Sequence, residues 1–279
     1  MISVVVPVFN TARYLPHVVE ALSAQDYPHE RYELLFVDNG SSDDGLEVLG
    51  RFPEVRVLQE PERGSYAARN LGVREAKGDI VAFTDSDCFP VAGWLRSIEE
   101  GFADPQKHVL MGPRIPPVEN NWVRLVSEYE NKKAELVCAS DDPLVYFGYT
   151  NNMAVRRATL ERCGPFVQRA RGSDTIFVRR VVEALGCAAV DYLPGMAVRH
   201  AELESIGVYY DKVRTYGRSR KAYRHITTVR PLSLKERLRV FREATRRRPV
   251  RDAAQLFVLL VGGQFAWWWG GLAVPRTNR

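Results

Sequence analysis

Asp85 and Asp87 stand two residues apart in Thr84-Asp85-Ser86-Asp87, directly after the apolar run Ile80-Val81-Ala82-Phe83 and shortly before Pro90. The run reads as a buried strand, so the two carboxylates sit at its mouth. Negative charges placed there repel each other and lose hydration, which costs free energy unless a cation or hydrogen-bond donor lies between them. A hard divalent ion supplies that compensation while carrying phosphate oxygens, since Mg²⁺ commonly uses one or two carboxylates plus substrate phosphates. The same residues also suit a plain strand-end turn in which both aspartates cap backbone amides.

The surrounding elements bear on the choice. Ile2-Ser3-Val4-Val5-Val6 is a β-branched run ended by Pro7, a buried strand with a loop after it. Arg13 to Ala24 has helical spacing, with Leu15, Val18, Val19 and Leu22 on one face. Tyr32 to Val37 is a second strand, leading into the polar loop Asp38 to Gly45, where Ser42 or Asp43 can cap a helix over Leu46 to Phe52. Val55 to Leu58 is a third strand, and Ser65 to Lys77 a helix closed by Gly78. This alternation predicts a mostly parallel sheet with helices on both faces. Ligands bind beyond the carboxyl ends of such strands. Phe9-Asn10, Asp38 and Asp85-Ser86-Asp87 all fall at that edge, which favours the ligand site over the plain turn.

The 279 residues fit one large α/β domain, or one domain with an appendage, and 46% apolar with 26% charged residues suits a globular core. Cys88, Cys138, Cys163 and Cys187 form no C-x-x-C pair and no cluster with His, so a disulfide framework or zinc site is not expected and a reducing compartment is. The opening MISVVVPVFN runs straight into a strand, and no signal peptide is expected. Charge is unevenly spread. Residues 1–211 hold 22 Lys and Arg against 31 Asp and Glu, whereas residues 212–251 hold 15 basic and 2 acidic residues. An acidic body with a basic tail implies an anionic partner for the tail.

Four segments in this order resemble the family 2 glycosyltransferases of GT-A fold: VVVPVFN, LLFVDNGSSDDG, RGSYAARNLGVREAKGDIVAFTDSD with its D-x-D motif, and TNNMAVRRATLERCGPF followed by GSDTIFVRRVVEALG. Together they cover roughly residues 1–200. The resemblance implies a Rossmann-like α/β sandwich with a mostly parallel central sheet and a C-terminal helical tail. It places a catalytic domain at 1–210, with a nucleotide-binding half 1–104 and an acceptor half 105–210, and a tail at 211–279. It implies that Pro7, Phe9 and Asn10 line a base pocket, that Asp38 bonds the nucleobase or ribose, and that Arg69, on the helix opened by Gly64, approaches the base or diphosphate. Asp85 would contact ribose or metal, beside Ser86, and Asp87 would be the principal ligand of Mg²⁺ or Mn²⁺. His200 matches a position where some relatives place a histidine near the metal. Many relatives carry a further acid where this chain has Cys88, one carboxylate fewer for the site.

In the second half, prolines 105, 113, 116 and 117 punctuate a loop-rich passage before a helical pattern from Trp122 to Val137. Trp122, Tyr129, Tyr146, Phe147 and Tyr149 either stack on sugar rings or fill the core, and core is expected for at least three. Met153 to Val155 is a short strand, Arg156 to Cys163 a helix, and Gly172-Ser173-Asp174 leads into a helix from Ile176 to Leu185. Asp174 suits a helix N-cap. The resemblance instead aligns it with the family's catalytic base, where an acidic pair is usual and this chain has Ser173 first. Strands over Val190 to Pro194 and Ala197 to His200 follow.

The tail interleaves aromatics with TYGRSRKAYRH and KERLRVFREATRRRP, then runs through residues 253–274 without a charge, interrupted by Gln264 and four glycines. Its length is enough to cross a bilayer core of about 30 Å, and Trp267-Trp268-Trp269 fits the interface that Trp favours. A basic amphipathic helix with a shallowly inserted or spanning hairpin-like segment is expected over 212–274, against an anionic membrane surface; the alternative is a helix packed back on the domain. The resemblance implies a metal-dependent, inverting hexosyltransferase-type enzyme. It would move sugar from a nucleoside-diphosphate donor to a glycan or lipid-linked acceptor in polysaccharide biosynthesis, on the cytoplasmic face of the cell membrane. A catalytically silent nucleotide-sugar or glycan-binding module that anchors an assembly at the membrane is the alternative. No nucleic-acid motif accompanies the basic tail, so no nucleic-acid partner is expected, and no Gly-rich G-x-G-x-R loop follows strand one as a nucleotidyltransferase would require.

Overall fold

The computed structural model describes residues 1–117, 120–168, 171–223 and 226–272. The chain opens with β1 (Ile2–Val8), α1 (Leu15–Ser23), β2 (Tyr32–Asp38), α2 (Gly45–Leu49), β3 (Val55–Gln59), α3 (Ser65–Glu75) and β4 (Ile80–Thr84). It continues through β5 (Cys88–Pro90), α4 (Trp94–Gly101), β6 (Val109–Met111), β7 (Arg114–Ile115), α5 (Asn121–Cys138) and β8 (Asn152–Arg156). Then come α6 (Arg157–Cys163), α7 (Ser173–Leu185), β9 (Val190–Tyr192), β10 (Val198–His200), α8 (Ile206–Tyr223), α9 (Leu234–Thr245) and α10 (Val250–Leu272).

Among the described residues, seven strands form one sheet in the order β3-β2-β1-β4-β8-β6-β9. Neighbours are parallel except where β8 runs antiparallel to β4 and β6. Both faces are covered, which is why the central strands are continuously apolar rather than alternating. Val5, Leu35, Val81 and Phe83 point to one face and pack with Tyr66 of α3, Val137 of α5 and Phe177 of α7. Val4, Val6, Leu34, Phe36 and Ala82 point to the other, against Leu15 and Val18 of α1 and Trp94 and Leu95 of α4. Emptying one such position, as in Phe83→Ala, costs about 3–5 kcal/mol.

The reversal at β8 matters for function. Its antiparallel register sets Asn152 beside Thr84, so the chain entering β8 passes the mouth of β4. A second sheet, β5-β10-β7, lies just beyond that mouth and pairs His200 with Cys88. These two- and three-residue strands have no counterpart in the sequence reading except the segment ending at His200.

The C-terminal helices bury Val240, Leu256 and Leu259 against Leu125, Val126 and Tyr129 of α5. The hairpin-like segment expected over 253–274 is instead one helix: α10 continues to Leu272, packed on α8 and α5. Residues 273 and 274 of that span, and 224 and 225 of the basic stretch, lie outside the described residues. Among the described residues no helix is long and apolar enough to cross a membrane, so the spanning alternative has no support. Glycines explain how closely α8 and α10 approach: a Cβ on Gly217 would lie 2.3 Å from the Trp267 carbonyl oxygen, and one on Gly270 2.0 Å from that of Arg214.

Candidate functional site

The carboxyl ends of β1, β2 and β4 lie side by side, as the parallel register requires. Pro7 is half-buried inside β1, opposite Val37, and Phe9 is exposed beyond the strand with the Arg63 guanidinium 5.8 Å from its ring centre. Asn10 adopts φ 53°, a left-handed conformation that asparagine tolerates better than most residues. Its Oδ1 accepts from the Ser42 amide at 2.7 Å, fastening the β1 loop to the β2 loop. Asp38 is buried and its oxygens accept from the Gly40 and Ser41 amides at 3.2 Å, leaving lone pairs spare.

Asn39 has a positioning role that sequence reasoning missed. Its side-chain amide donates to the Glu60 and Glu62 carbonyls, and its Oδ1 accepts from Gly64 N at 2.6 Å. Gly64 itself sits at φ 131°, where a side chain would be strained, and forms the N-cap of α3. The start of α3 is thereby fixed, and Arg69, one turn on, reaches the site.

Arg69 is almost wholly buried, ion-paired with Asp85, and donates to the Ser65 carbonyl at 3.3 Å. Its Nε is buried with no hydrogen-bond partner. Burial raises the Asp85 carboxyl above its usual range, Arg69 pulls it down, and the neighbouring Asp87 charge raises it further. Ser86, between the two acids, is buried.

Asp87 faces a different set of groups. Its Oδ2 lies 3.3 Å from His200 Nε2, and its Oδ1 accepts from the Cys88 thiol at 3.5 Å. Burial favours its neutral form, but His200 and the more distant Lys212 charge overcome that and hold the carboxyl below its usual range. The Asp87, Cys88 and His200 ligand atoms lie within 4.8 Å of one another. Burial, then Asp87 and Asp85, push the Cys88 thiol well above its usual range. One carboxylate, one imidazole and one thiol therefore stand close enough to share a divalent cation. Asp85 lies outside this cluster, its carboxylate engaged by Arg69.

Asp174 is not the N-cap of its helix: Gly172, at φ 87°, is, and Asp174 occupies the first turn of α7. Its Oδ1 accepts from Thr175 N at 2.8 Å. The Tyr66 hydroxyl and Thr150 amide also face it, the latter supplied by the chain entering β8. A Cβ on Gly148 would meet the Asp174 carbonyl oxygen at 2.7 Å, so glycine there permits the approach. Burial raises the Asp174 carboxyl, partly opposed by the Thr175 amide and the Arg69 charge. Arg69 therefore acts on Asp85 and Asp174 together. Sequence-predicted residues from β1, β2, α3, β4 and α7 surround one rim; Tyr66, inside the RGSYAARN segment but given no role there, and Lys212, which no motif announces, join them. Of the five aromatics in question, Tyr129, Tyr146 and Tyr149 are core, while Trp122 is exposed.

A family model described as "Glycosyl transferase family 2" matches residues 3–164. The chain belongs to that family. It is 39% identical over 193 residues to glycosyltransferase AglE of Haloferax volcanii, covering 66% of this chain and 62% of AglE. The chain spans less than two thirds of the length of the curated relatives it matches, 49% for the pre-mycofactocin glycosyltransferase of Mycobacterium tuberculosis at 30% identity over 246 residues. Among solved structures, the mannosyltransferase PcManGT from Pyrobaculum calidifontis, in complex with GDP-Man and Mn²⁺, superposes with TM-score 0.65 at 18% identity. That match covers 96% of this chain and 87% of PcManGT, and it establishes the family's GT-A fold here.

Proposed function

We propose that this family 2 chain is an inverting glycosyltransferase that takes a sugar from a nucleoside-diphosphate donor to a hydroxyl of a glycan or lipid-linked acceptor. The observation that supports this most is the pairing of two unlike acidic sites on one rim: Asp87 held ionised beside His200, and Asp174 held back from ionising by burial. Pro7, Phe9, Asn10 and Asp38 would receive the nucleotide, and Arg69 with Asp85 and Ser86 would orient its ribose and phosphates. Asp87 and His200 would hold Mn²⁺ or Mg²⁺, which supplies positive charge to the departing diphosphate. Asp174 accepts the proton of the acceptor hydroxyl as its oxygen bonds the anomeric carbon. The bond from that carbon to the diphosphate breaks on the opposite side, its electron pair leaving with the nucleotide. Tyr66, whose hydroxyl faces Asp174, would orient the base. A panel of nucleotide sugars assayed for hydrolysis tests the reading. Turnover of at least one donor by the wild type, lost in Asp174→Asn and Asp87→Ala, is expected; equal rates in all three would overturn it and favour a silent binding module.

We also propose that the tail rests on an anionic membrane, which would bring residues 1–210 to a lipid-linked acceptor at its cytoplasmic face. Ala254, Val258, Val261, Phe265, Trp268 and Leu272 follow one another at alternating spacings of four and three on the outer side of α10, and Phe265 is 67% exposed. Arg237 Nη1 donates to Gln264 Oε1 at 2.9 Å, linking this stripe to α9, where exposed Leu234 and Leu238 are flanked by Lys235, Arg239 and Arg242. An apolar stripe with a basic border matches interfacial binding. Flotation with phosphatidylglycerol vesicles should carry the full chain up, with a large loss for Phe265→Asp/Trp268→Asp and none of the effect on neutral vesicles. A salt-stable dimer that ignores vesicles would show that a second copy covers the stripe instead.

A further inference from the structure

Lys212, in the first half of α8, belongs to the basic stretch whose charge the sequence suggests is offered to an external anion. The structure turns it inward. Its ammonium lies 3.2 Å from His200 Nε2 and 3.2 Å from Glu202 Oε2, and its side chain is 26% exposed. The contact with His200 is odd in hydrogen-bond terms. An ammonium has three donors and no acceptor, so it needs the lone pair of Nε2. Asp87 Oδ2, 3.3 Å from the same nitrogen, is an acceptor and needs a hydrogen there. One ring nitrogen offers a lone pair or a hydrogen, not both. Either choice leaves one neighbour facing the wrong partner. A cation without hydrogens removes the conflict, because it takes the Nε2 lone pair and the Asp87 oxygen together.

We infer that Lys212 is a resident counter-ion of the Asp87–His200 cation site, which a divalent ion must displace before the site loads. This rests on the proposed metal reading of Asp87 and His200. The side chain has somewhere to go, since Glu202 already shares the ammonium. The backbone does not: the Gly217 and Gly270 contacts hold α8 tightly on α10, so the exchange is a side-chain movement. The ammonium spares Asp87 and His200 from standing without a cation between donor-binding events, at the cost of weaker metal binding.

Mn²⁺ titration followed by the loss of free-ion electron paramagnetic resonance signal tests this in the full chain, with and without UDP. Lys212→Met and Lys212→Gln should each bind Mn²⁺ at least about tenfold more tightly than wild type, a difference of roughly 1.4 kcal/mol at the standard conversion. Lys212→Arg, which keeps the charge, should remain near wild type. Unchanged or weaker Mn²⁺ binding in both uncharged variants would overturn the inference, and weaker binding only when UDP is present would make Lys212 a diphosphate ligand instead. Asp87→Ala separates the two levels. If wild type binds no Mn²⁺ that Asp87→Ala abolishes, the metal reading fails; if it does and the Lys212 variants bind no better, only the counter-ion role fails.

Discussion

The two aspartates of one short turn live in contrasting surroundings. Asp85 meets a single buried guanidinium that arrives from α3 within the same βαβ unit, and burial raises its carboxyl. Asp87 meets an imidazole and a thiol, the imidazole brought from more than a hundred residues away by β10, and its carboxyl is lowered. A spacing of two residues in sequence thus sets one acid against a buried guanidinium and the other against an imidazole. What separates them is the company each keeps, not their chemistry. The lesson is that a D-x-D motif names two residues but does not assign them equal tasks.

Three substitutions probe this contrast, given in descending size of effect. Asp87→Ala removes the exchangeable partner, and donor turnover should fall about a thousandfold or more, of the order expected when charge stabilisation of the leaving group is lost. Initial rates at saturating Mn²⁺ check it. Asp174→Asn should lower kcat about 10²–10⁴-fold, the usual contribution of a positioned base, while leaving UDP·Mn²⁺ affinity in place. Burial raises the Asp174 carboxyl, so the protonated, inactive form persists to higher pH than for a free aspartate. The wild-type rate should accordingly rise with pH through that raised value and be lost as pH falls through it, a limb absent from the residual Asp174→Asn activity. Linkage gives the opposite sign for stability. A carboxyl with a raised folded pKa loses stability as pH rises from its unfolded towards its folded value. Asp174→Asn should therefore melt slightly above wild type at pH 8 in a thermal scan. Arg69→Met is the mildest in activity terms and the most telling for Asp85. It leaves a partly buried carboxylate without its partner and should cost about 2 kcal/mol of stability, less than a fully buried pair because Asp85 remains about a third exposed. Mn²⁺ affinity should hardly change, in contrast with Asp87→Ala.

The Asp85 side is legible from local pattern, whereas on the Asp87 side His200 comes from the resemblance and Lys212 from neither. Strands β1, β2 and β4 announce themselves because burial on both faces demands unbroken apolar runs, and the register that follows brings Phe9, Asn10, Asp38 and Asp85 to one edge. Arg69 lies on the helix just before β4, so its proximity follows from the βαβ unit. His200 reaches Asp87 only through a three-residue antiparallel pairing of β5 with β10, too short to leave a periodic signal. Lys212 read as one more charge in a basic stretch, since nothing in local spacing shows that a helix packed on α10 turns that one side chain inward. Asp174 was found through resemblance. By spacing it looked like a cap, and the actual cap is the left-handed Gly172 two residues earlier. The tail differs for a physical reason too: a hairpin-like segment is expected over its uncharged run, whereas Gly270 lets α10 lie flush on α8 and continue as one helix.

In the proposed reaction an exchangeable cation sits between Asp87 and a diphosphate. Calorimetric titration of UDP and GDP into the wild-type chain, first with Mn²⁺ and then in EDTA, addresses it most directly. At least one nucleotide should bind with Mn²⁺ and lose most of its affinity in EDTA, and Asp87→Ala should behave in Mn²⁺ as the wild type does in EDTA. Equal affinity with and without Mn²⁺, or an Asp87→Ala chain that still gains from the ion, would contradict it.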